Sequence, residues 1–265
     1  MSTTPTPPPP RTTPQQVAAA FLTPPRRATD RTVDFLPGGT RFFADAPRGK
    51  IAGARAGGES APLVLLVHGW GGHSTDMEAF VRPLLDAGFG VAAIDLPAHG
   101  ESEGNTASIP HTADALLALQ RELGELHTVI AHSVGTAAVV HAIGKGLRTE
   151  RVVLVSAPAR YADYAAGFAA QAGLDADQTR EMIALLAQMG VDVASVSTPR
   201  TAAQLTQRAL ICHSADDRTV PLRDGQEIAK AWPGARLIQL EGLGHRRILG
   251  APEVVTAIVE FVRAA

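Results

Sequence analysis

The chain has 265 residues, and 45% of them are hydrophobic, which is enough for the core of one large α/β domain. Its formal net charge is −2 with acidic and basic residues mixed along the sequence, so we expect it to bind neither nucleic acid nor an anionic membrane. The single cysteine, Cys212, excludes an internal disulfide and is typical of a reducing compartment. With no apolar run of transmembrane length and no signal-peptide pattern, the expectation is a cytoplasmic protein.

Residues 1–30 are predicted to form an N-terminal segment distinct from the main domain. They open with MSTTPTPPPPRTTP, a Pro-rich run of low complexity, and we expect these residues, 1–14, to be disordered and extended, without a core. A short helix is predicted over QQVAAAFL, and it breaks at Pro24 and Pro25. A proline motif that binds a partner is the alternative interpretation of the Pro-rich run.

The remaining residues, 31–265, are predicted to form one α/β domain that begins with a small antiparallel meander. Gly39 and Gly49 separate its strands. The predicted strands of the meander are 32–36, 41–45 and 50–56.

From residue 62 the sequence alternates between buried strands and amphipathic helices. The strands are short β-branched or aliphatic runs, a composition typical of parallel strands that are covered on both faces. Such alternation predicts a doubly wound, mostly parallel sheet with its ligand site beyond the carboxyl ends of the strands. The predicted strands are 63–67, 91–95, 128–132, 151–155, 209–213 and 235–240, and the predicted helices are 76–87, 108–123, 134–147, 222–231 and 252–263.

Residues 157–208 interrupt this alternation, because they separate two predicted strands by about fifty positions. We expect the segment to form a small helical lid over the carboxyl edge of the sheet. Asp175 and Gln178 form a capping pair at the start of its second helix. The predicted lid helices are 160–172, 176–189 and 200–208.

Ser133 lies between the strand TVIAH and the helical stretch GTAAVVHAI, on a strand-to-helix turn. A sharp turn there would hold the serine in a strained backbone conformation and project its hydroxyl beyond the sheet edge, as a nucleophile requires. Such a turn needs small residues two positions before and after the serine, and Ala131 and Gly135 occupy them. The alternative is an ordinary serine N-cap of the following helix, and the motif alone leaves both interpretations open.

A serine nucleophile needs a neutral base, and the base needs a carboxylate to orient it. Among nine histidines, His245 follows a predicted strand at the same sheet edge, on the Gly-flanked loop EGLGH. The strand ALICH leads into SADDRTVP, which offers Asp216 and Asp217. The Asp-x-x-Val-Pro spacing favours Asp217, with Asp216 as the alternative.

The tetrahedral intermediate of acyl transfer also needs hydrogen-bond donors for its oxyanion. The backbone N–H of Val134, at the start of the helix after the serine, is one candidate. The glycine loop HGWGGHS, residues 68–74, offers the N–H of Trp70 as the other. Phosphate binding is the alternative for this loop, but neither G-x-G-x-x-G nor a Lys-Ser/Thr ending accompanies it.

Taken in chain order, these motifs resemble those of the α/β-hydrolase superfamily, in its serine esterase and lipase-like branch. HGWGG resembles the oxyanion loop of that family, AHSVG its nucleophile elbow, and SADDRTVP and GLGH its acid and histidine loops. DLPAHGESEG is similar to the D-x-P-G-H-G-x-S loop of the family, with Ala98 in place of a glycine. The resemblance covers about residues 35–263.

The resemblance implies the fold of that superfamily and a catalytic triad of Ser133, Asp217 and His245. It also implies an oxyanion hole made by the N–H groups of Trp70 and Val134. We expect no cofactor and no metal, because His68 and His73 lie five residues apart in a glycine loop and nothing completes a ligand set. Haloalkane dehalogenases and epoxide hydrolases of similar scaffold carry aspartate at the nucleophile position. Because this chain has serine there, acyl chemistry is favoured.

We therefore expect a serine hydrolase that cleaves carboxylic esters of short to medium acyl chains through an acyl-enzyme, with a small-molecule ester as substrate. A thioester or amide hydrolase, an acyltransferase, and a non-catalytic binding protein on this scaffold are the alternatives. Arg246 and Arg247, just after the base, either bind an anionic group of the substrate or form a solvated surface. The sequence does not indicate the oligomeric state. Candidate pocket residues are His68, His132, Tyr161, Tyr164, Phe168, Met182 and Met189.

Overall fold

A mixed sheet forms the centre of the molecule, and the structure, a computed structural model, describes residues 12–27 and 36–264. Eight strands form this sheet within the described residues. In chain order they are β1 (Thr40–Ala44), β2 (Ile51–Ala56), β3 (Leu63–Val67), β4 (Gly90–Ile94), β5 (Leu126–His132), β6 (Thr149–Val155), β7 (Arg208–Ser214) and β8 (Arg236–Leu240). Their spatial order is β1-β2-β4-β3-β5-β6-β7-β8, with β1–β2 and β2–β4 antiparallel and the other pairs parallel. The predicted mostly parallel sheet is confirmed.

Ten helices accompany the strands in the same part of the chain. They are α1 (Pro14–Phe21), α2 (Glu78–Asp86), α3 (Ile109–Leu123), α4 (Val134–Gly144), α5 (Tyr161–Gln171), α6 (Ala176–Gln188), α7 (Thr198–Ala202), α8 (Leu222–Ala231), α9 (Gly244–Arg247) and α10 (Pro252–Arg263). Short 3₁₀ turns cover Ser74–Met77, Val193–Ser195 and Ile248–Gly250. Among these helices none has both the length and the apolar run that crossing a bilayer requires.

Helices cover both faces of the sheet because its central strands are apolar on both sides. Every residue of β3 and of β4 is buried. Helices α2 and α10 pack on one face, and α3, α4 and α8 pack on the other. This is the doubly wound arrangement that the alternating pattern predicts. The buried side chains include Phe80, Leu84, Val254 and Ile258 on the first face and Leu116, Leu119, Val139 and Ile228 on the second.

Two of the three strands predicted for the N-terminal meander are present. The stretches 41–45 and 50–56 correspond to β1 and β2, which pair antiparallel with Thr40 opposite Arg55. The predicted strand 32–36 lies outside the described residues apart from Leu36.

The carboxyl ends of the parallel strands position the candidate site. Strands β3, β5, β7 and β8 run in the same direction, so the loops that follow them leave the sheet at one edge. The loop after β3 carries the glycine-rich residues 68–74, and the other three loops carry Ser133, Asp217 and His245. Residues far apart in the sequence are thereby collected at one place.

The segment 157–208 lies between β6 and β7 and contains the helices α5, α6 and α7. The first two agree with the predicted lid helices. Helix α6 begins at a capping box, in which Asp175 Oδ1 accepts from the N–H of Gln178 at 2.9 Å and Gln178 Oε1 accepts from the N–H of Asp175 at 3.0 Å.

The third lid helix is present as α7, but its predicted bounds, 200–208, are wrong. Helix α7 spans only Thr198–Ala202, since Ser197 caps it and proline occupies its first turn. The last residue of the predicted helix, Arg208, belongs to strand β7, where it lies opposite Arg151 of β6. Residues 203–207 are not helical and lead from the end of α7 into β7.

The helix predicted within QQVAAAFL is present as α1, and it is packed against α5 and α6 of the lid. Thr13 and Gln16 form a capping box, and Pro14 occupies the first turn, where its fixed φ suits a helix. Pro14 is buried, so the expectation that residues 1–14 contribute nothing to a core is wrong at this position. Residues 1–11 lie outside the described residues.

Candidate active site

Ser133 is the single residue between β5, which ends at His132, and α4, which begins at Val134. Its backbone has φ 52° and ψ −128°, a strained conformation for a residue with a side chain. The N–H of Ser133 donates to the carbonyl of Val155 at 2.9 Å, which fixes the turn to β6. Its side chain makes no capping hydrogen bond to α4. An ordinary N-cap therefore does not describe this serine.

The tightness of this turn explains which residues flank it. A Cβ atom at Gly135 would lie 2.3 Å from the backbone oxygen of His68, so only glycine fits there. Gly69 is similarly constrained, because its Cβ would lie 2.9 Å from that of Ser133. Ala131 is fully buried and its methyl group is accommodated in β5. Alanine in place of the usual glycine is therefore compatible with the turn.

The hydroxyl of Ser133 lies beside the imidazole of His245. The Oγ atom of Ser133 is 3.0 Å from Nε2 of His245, and Nδ1 of His245 is 2.8 Å from Oδ2 of Asp217. Because a carboxylate only accepts hydrogen bonds, Nδ1 carries the proton and Nε2 is left to accept the proton of the serine hydroxyl. This is the tautomer that a general base toward Ser133 requires.

Asp217 is held as a buried carboxylate. Its Oδ1 atom accepts hydrogen bonds from the N–H groups of Thr219 at 2.8 Å and Val220 at 2.9 Å. Burial alone would raise the pKa of Asp217, but the hydrogen bonds from His245 and from these N–H groups lower the pKa to about 2. The group is therefore ionised at neutral pH and can stabilise an imidazolium.

Asp216, the alternative acid, serves a different purpose. It is exposed, and its Oδ1 atom accepts hydrogen bonds from the hydroxyl of Ser214 and from the N–H of Gly244 at 3.0 Å. The hydrogen bond from the Ser214 hydroxyl, ahead of the one from Gly244, lowers the pKa of Asp216. Asp216 thus fixes the turn before His245 and does not contact the imidazole.

His132 also positions the loop of His245. Its Nε2–H donates to the backbone carbonyl of His245 at 2.9 Å, and the two rings lie 4.8 Å apart. Burial, and next the adjacent ring of His245, lower the pKa of His132 to about 3, so it is neutral and makes no competing cation beside the base.

The two candidate oxyanion donors lie in the loop after β3 and at the start of α4. Val134 is the first residue of α4, so its N–H has no acceptor within the helix. The N–H of Trp70 likewise has no acceptor in residues 12–27 and 36–264. Both residues line the cavity that opens in front of Ser133. Two free donors at this place fit an anionic oxygen on the reacting carbon.

Neutral histidines hold the glycine loop that carries Trp70. The N–H of Gly71 donates to Nε2 of His99 at 3.0 Å, and the N–H of Leu96 donates to Nε2 of His68 at 2.9 Å. Burial lowers the pKa of His99, and it lowers that of His68 to about 4, so both rings can accept these hydrogen bonds at neutral pH. Their role is structural.

Two cavities meet at Ser133 and His245. The larger has a volume of about 710 Å³, and three of the predicted pocket residues, Tyr161, Tyr164 and Phe168 of α5, line it. The smaller has a volume of about 120 Å³, and His132 lines it. The lid segment therefore contributes walls of the larger cavity.

Three predicted pocket residues lie elsewhere. His68 is fully buried with both ring nitrogens hydrogen-bonded, Nδ1 to the carbonyl of Gly69 and Nε2 as described. Met182 is fully buried in the interior that α6 shares with α1 and α5, because it lies on the inner face of α6. Met189 is 47% exposed. These positions correct the expectation that the three residues contact a ligand.

The sequence pattern missed several residues that line the larger cavity. Phe21 lines it from α1, which lies outside the predicted α/β domain. A signal for this contact was present in the sequence, because Val17, Ala18 and Phe21 form an apolar helical face that needs a partner surface. Arg218 and Arg223 were also missed and line this cavity, whereas Arg246, which the sequence offered as an anion-binding residue, lines both cavities. No cluster of three histidine, cysteine, aspartate or glutamate side chains suited to a metal occurs within the described ranges.

A mostly parallel sheet with a serine, a histidine and an aspartate in hydrogen-bond contact beyond its strand ends defines a chain of the α/β-hydrolase class. The sequence model of the alpha/beta hydrolase family matches residues 64–258, and the chain belongs to this family. No curated protein is significantly similar to it in sequence.

Solved structures with the same fold include proteins named as an esterase, a carboxylesterase and a bromoperoxidase. An esterase from Exiguobacterium antarcticum is 17% identical, with a TM-score of 0.67 over 85% of this chain and 100% of that one. The carboxylesterase CesB from Bacillus subtilis is 17% identical, with a TM-score of 0.67 over 89% and 96%. A bromoperoxidase from Bacillus anthracis is 19% identical, with a TM-score of 0.65 over 85% and 100%. At these identities the similarity shows the fold alone.

Proposed function

We propose that this protein is a serine hydrolase that cleaves carboxylic esters through an acyl-enzyme. The observation that carries the proposal is the unbroken chain of contacts from Ser133 Oγ to His245 Nε2 at 3.0 Å and from His245 Nδ1 to Asp217 Oδ2 at 2.8 Å. Ser133 and His245 both line a cavity of about 710 Å³, which is large enough for a small ester.

Acylation begins with attack of Ser133 Oγ on the ester carbonyl, while His245 Nε2 takes the hydroxyl proton. The carbonyl oxygen becomes an oxyanion that accepts hydrogen bonds from the N–H groups of Trp70 and Val134. The tetrahedral intermediate then collapses, and the bond to the alcohol oxygen breaks. The same proton passes from His245 to the departing alcohol, and Asp217 stabilises the imidazolium between these steps.

Deacylation repeats the sequence with water. His245 removes a proton from a water molecule that attacks the acyl carbon, and the oxyanion again occupies the site between the two N–H groups. Collapse releases the carboxylic acid and returns the proton to Ser133. The hydrogen bonds that Asp217 accepts from His245 and from the N–H groups of Val220 and Thr219 outweigh the effect of its burial and keep it ionised throughout, so it orients the imidazole without taking the proton.

The substrate side of the proposal is an ester with a short to medium acyl chain. Aromatic side chains from α5 and α1 line the larger cavity and suit an apolar chain. Structural neighbours named esterase and carboxylesterase support ester chemistry on this fold. Thioester or amide hydrolysis and acyl transfer remain alternatives, because the same triad serves each of them.

The test is a panel of p-nitrophenyl esters with the wild-type protein and two matched serine variants. Ser133→Ala is expected to lower kcat/KM by at least about 10³-fold, since the nucleophile is lost. Ser156→Ala is the control: Ser156 follows β6 with a similar positive φ of 53°, but its hydroxyl has no partner among the described residues. It should keep wild-type activity.

Two further measurements separate the alternatives. A fluorophosphonate probe should label the wild-type protein on Ser133 and fail to label Ser133→Ala. An absence of labelling and turnover in the wild-type protein would favour a non-catalytic binding protein. Comparing esters with thioesters and amides, with and without an added alcohol acceptor, distinguishes hydrolysis from transfer by the products formed.

A further inference from the structure

The described N-terminal residues run from the lid to the glycine loop beside the candidate site. We call residues 13–27, which include α1, the N-terminal strap. We propose that the N-terminal strap is a wall of the substrate cavity and that Phe21 sets the length of acyl chain the cavity accepts. This inference rests on the proposed ester hydrolysis and adds a specificity-determining residue from outside residues 64–258, which match the family.

Phe21 forms an aromatic cluster with two residues of α5. Its ring centroid lies 5.3 Å from that of Tyr161 in a stacked arrangement, and 5.4 Å from that of Phe168 in an edge-to-face arrangement. All three rings line the larger cavity, together with Ser133 and His245. Phe21 is half-buried, so one side of its ring packs on the lid while the other is open to the cavity. An acyl chain that extends toward the lid meets this ring.

Contacts with the lid fix one part of the N-terminal strap. Val17, Ala18 and Leu22 are buried in the interior that α1 shares with α5 and α6. Gln15 Nε2 donates to Glu181 Oε1 of α6 at 3.1 Å. Helix α1 therefore cannot rotate Phe21 away from the cavity without exposing its apolar face.

Contacts with the body of the protein fix the other part. The carbonyl of Leu22 accepts from the N–H of Ala107 at 2.8 Å. The guanidinium of Arg26 donates to the carbonyls of Ser102 at 2.9 Å and Gly104 at 2.7 Å. Arg27 forms an ion pair with Asp76 at 3.2 Å. Because Phe21 lies between two anchored parts of the chain, its position is determined by both the lid and the body.

A change in the size of residue 21 should therefore change the depth of the cavity and leave the reacting groups in place. Phe21→Ala removes the ring and lengthens the space toward the lid, whereas Phe21→Trp shortens it. The ratio of kcat/KM for p-nitrophenyl octanoate to that for the acetate should rise about tenfold with alanine and fall about tenfold with tryptophan. The acetate value is the reference in this ratio, because dividing by it removes any loss of activity that the two esters share.

Val17→Ala is the matched control in the same helix. Val17 is buried one turn before Phe21 and does not line the cavity. The control should lower the melting temperature while keeping the wild-type octanoate-to-acetate ratio. If Val17→Ala shifted the ratio as Phe21→Ala does, or if neither change at Phe21 shifted it, the proposed wall would be refuted.

Binding without turnover separates this proposal from the proposed function. Calorimetry with decanoate on Ser133→Ala and on Ser133→Ala/Phe21→Ala requires no hydrolysis. The second protein is expected to bind decanoate at least about fivefold more tightly, because the chain no longer meets the ring. Equal affinities would overturn the role of Phe21. A wild-type protein that fails to cleave any ester would instead overturn the proposed function.

Discussion

Nδ1 of His245 lies 2.8 Å from the Oδ2 atom of Asp217, while the adjacent Asp216 accepts a hydrogen bond from the backbone of Gly244. The two neighbouring carboxylates thus have different roles. One is buried and orients the imidazole, and the other is exposed and fixes the loop on which the imidazole is carried. The two can be separated by parallel substitutions.

Asp217→Asn should lower kcat by about 10³- to 10⁴-fold, because an amide can impose the wrong tautomer on His245 and no longer stabilises its cation. Asp216→Asn should stay within about threefold of the wild-type kcat, since its amide oxygen can still accept from Gly244. Steady-state kinetics with p-nitrophenyl butyrate measures both. Equal losses in the two variants would contradict the division of roles.

The acid dependence of stability should also report on Asp217. Its pKa is lowered from 3.8 to about 2 in the folded protein, so the ionised form stabilises the fold above the unfolded value. That contribution is lost as the pH falls toward 2. The free energy of unfolding of the wild-type protein should therefore fall about 1.5 kcal/mol more than that of Asp217→Asn between pH 5 and pH 2.5.

Denaturant titrations at the two pH values measure this difference. The pKa of Asp95 is also lowered to about 2: burial opposes the shift, but the hydrogen bond from His73 and those from backbone N–H groups outweigh it. Asp95 is unchanged in both proteins, so its contribution cancels in the comparison. Parallel pH dependences of the two proteins would show that Asp217 is not stabilised as a carboxylate.

The two small residues around Ser133 should respond differently to the gain or loss of one methyl group. Gly135→Ala places a Cβ atom 2.3 Å from a backbone oxygen that cannot move freely, and it should cost about 3 kcal/mol or more and displace the loop of Trp70. Ala131→Gly should cost about 1 kcal/mol through chain entropy and a lost buried methyl, with activity retained. Thermal unfolding and kcat/KM check the pair. A stable, active Gly135→Ala protein would contradict the close packing of the turn.

Arg246 and Arg247 are expected to differ in their effect on charged substrates. Arg246 lines both cavities, whereas Arg247 donates a hydrogen bond to the carbonyl of Gly242 at 2.8 Å. Arg246→Ala should lower kcat/KM for mono-p-nitrophenyl succinate relative to the butyrate by about fivefold at low salt, and Arg247→Ala should leave this ratio unchanged. An unchanged ratio in Arg246→Ala would identify Arg246 as a solvated surface residue.

The strands and the four loops of the site could be predicted from the sequence. Each prediction needed only the local residue pattern and one rule of sheet topology. Parallel strands end at the same edge, so Ser133, Asp217 and His245 could be assigned to one place without knowing any distance. The preference for Asp217 over Asp216 came from spacing, and the contacts now explain it, since Val220 donates to Asp217.

The residues that line the cavities could not be predicted from the sequence in the same way. Whether Met182 of α6 points to a ligand or into the lid depends on which face of the helix meets α1, and no local pattern decides that. Phe21 was missed for the related reason that its partners, Tyr161 and Phe168, are distant in sequence. The bounds of the third lid helix were misplaced at its start, where Ser197 caps it earlier than predicted, and at its end, where Arg208 pairs with Arg151 of another strand.

The position of the N-terminal strap also affects how such a protein can diverge. Mutations in the short coding stretch for α1 would reshape the cavity without touching the strands that hold Ser133, Asp217 and His245. The wall that α1 contributes is therefore encoded apart from the strand ends that carry Ser133, Asp217 and His245. On the proposal for Phe21, a change confined to α1 would be enough to alter which acyl chains fit, with Ser133, Asp217 and His245 untouched.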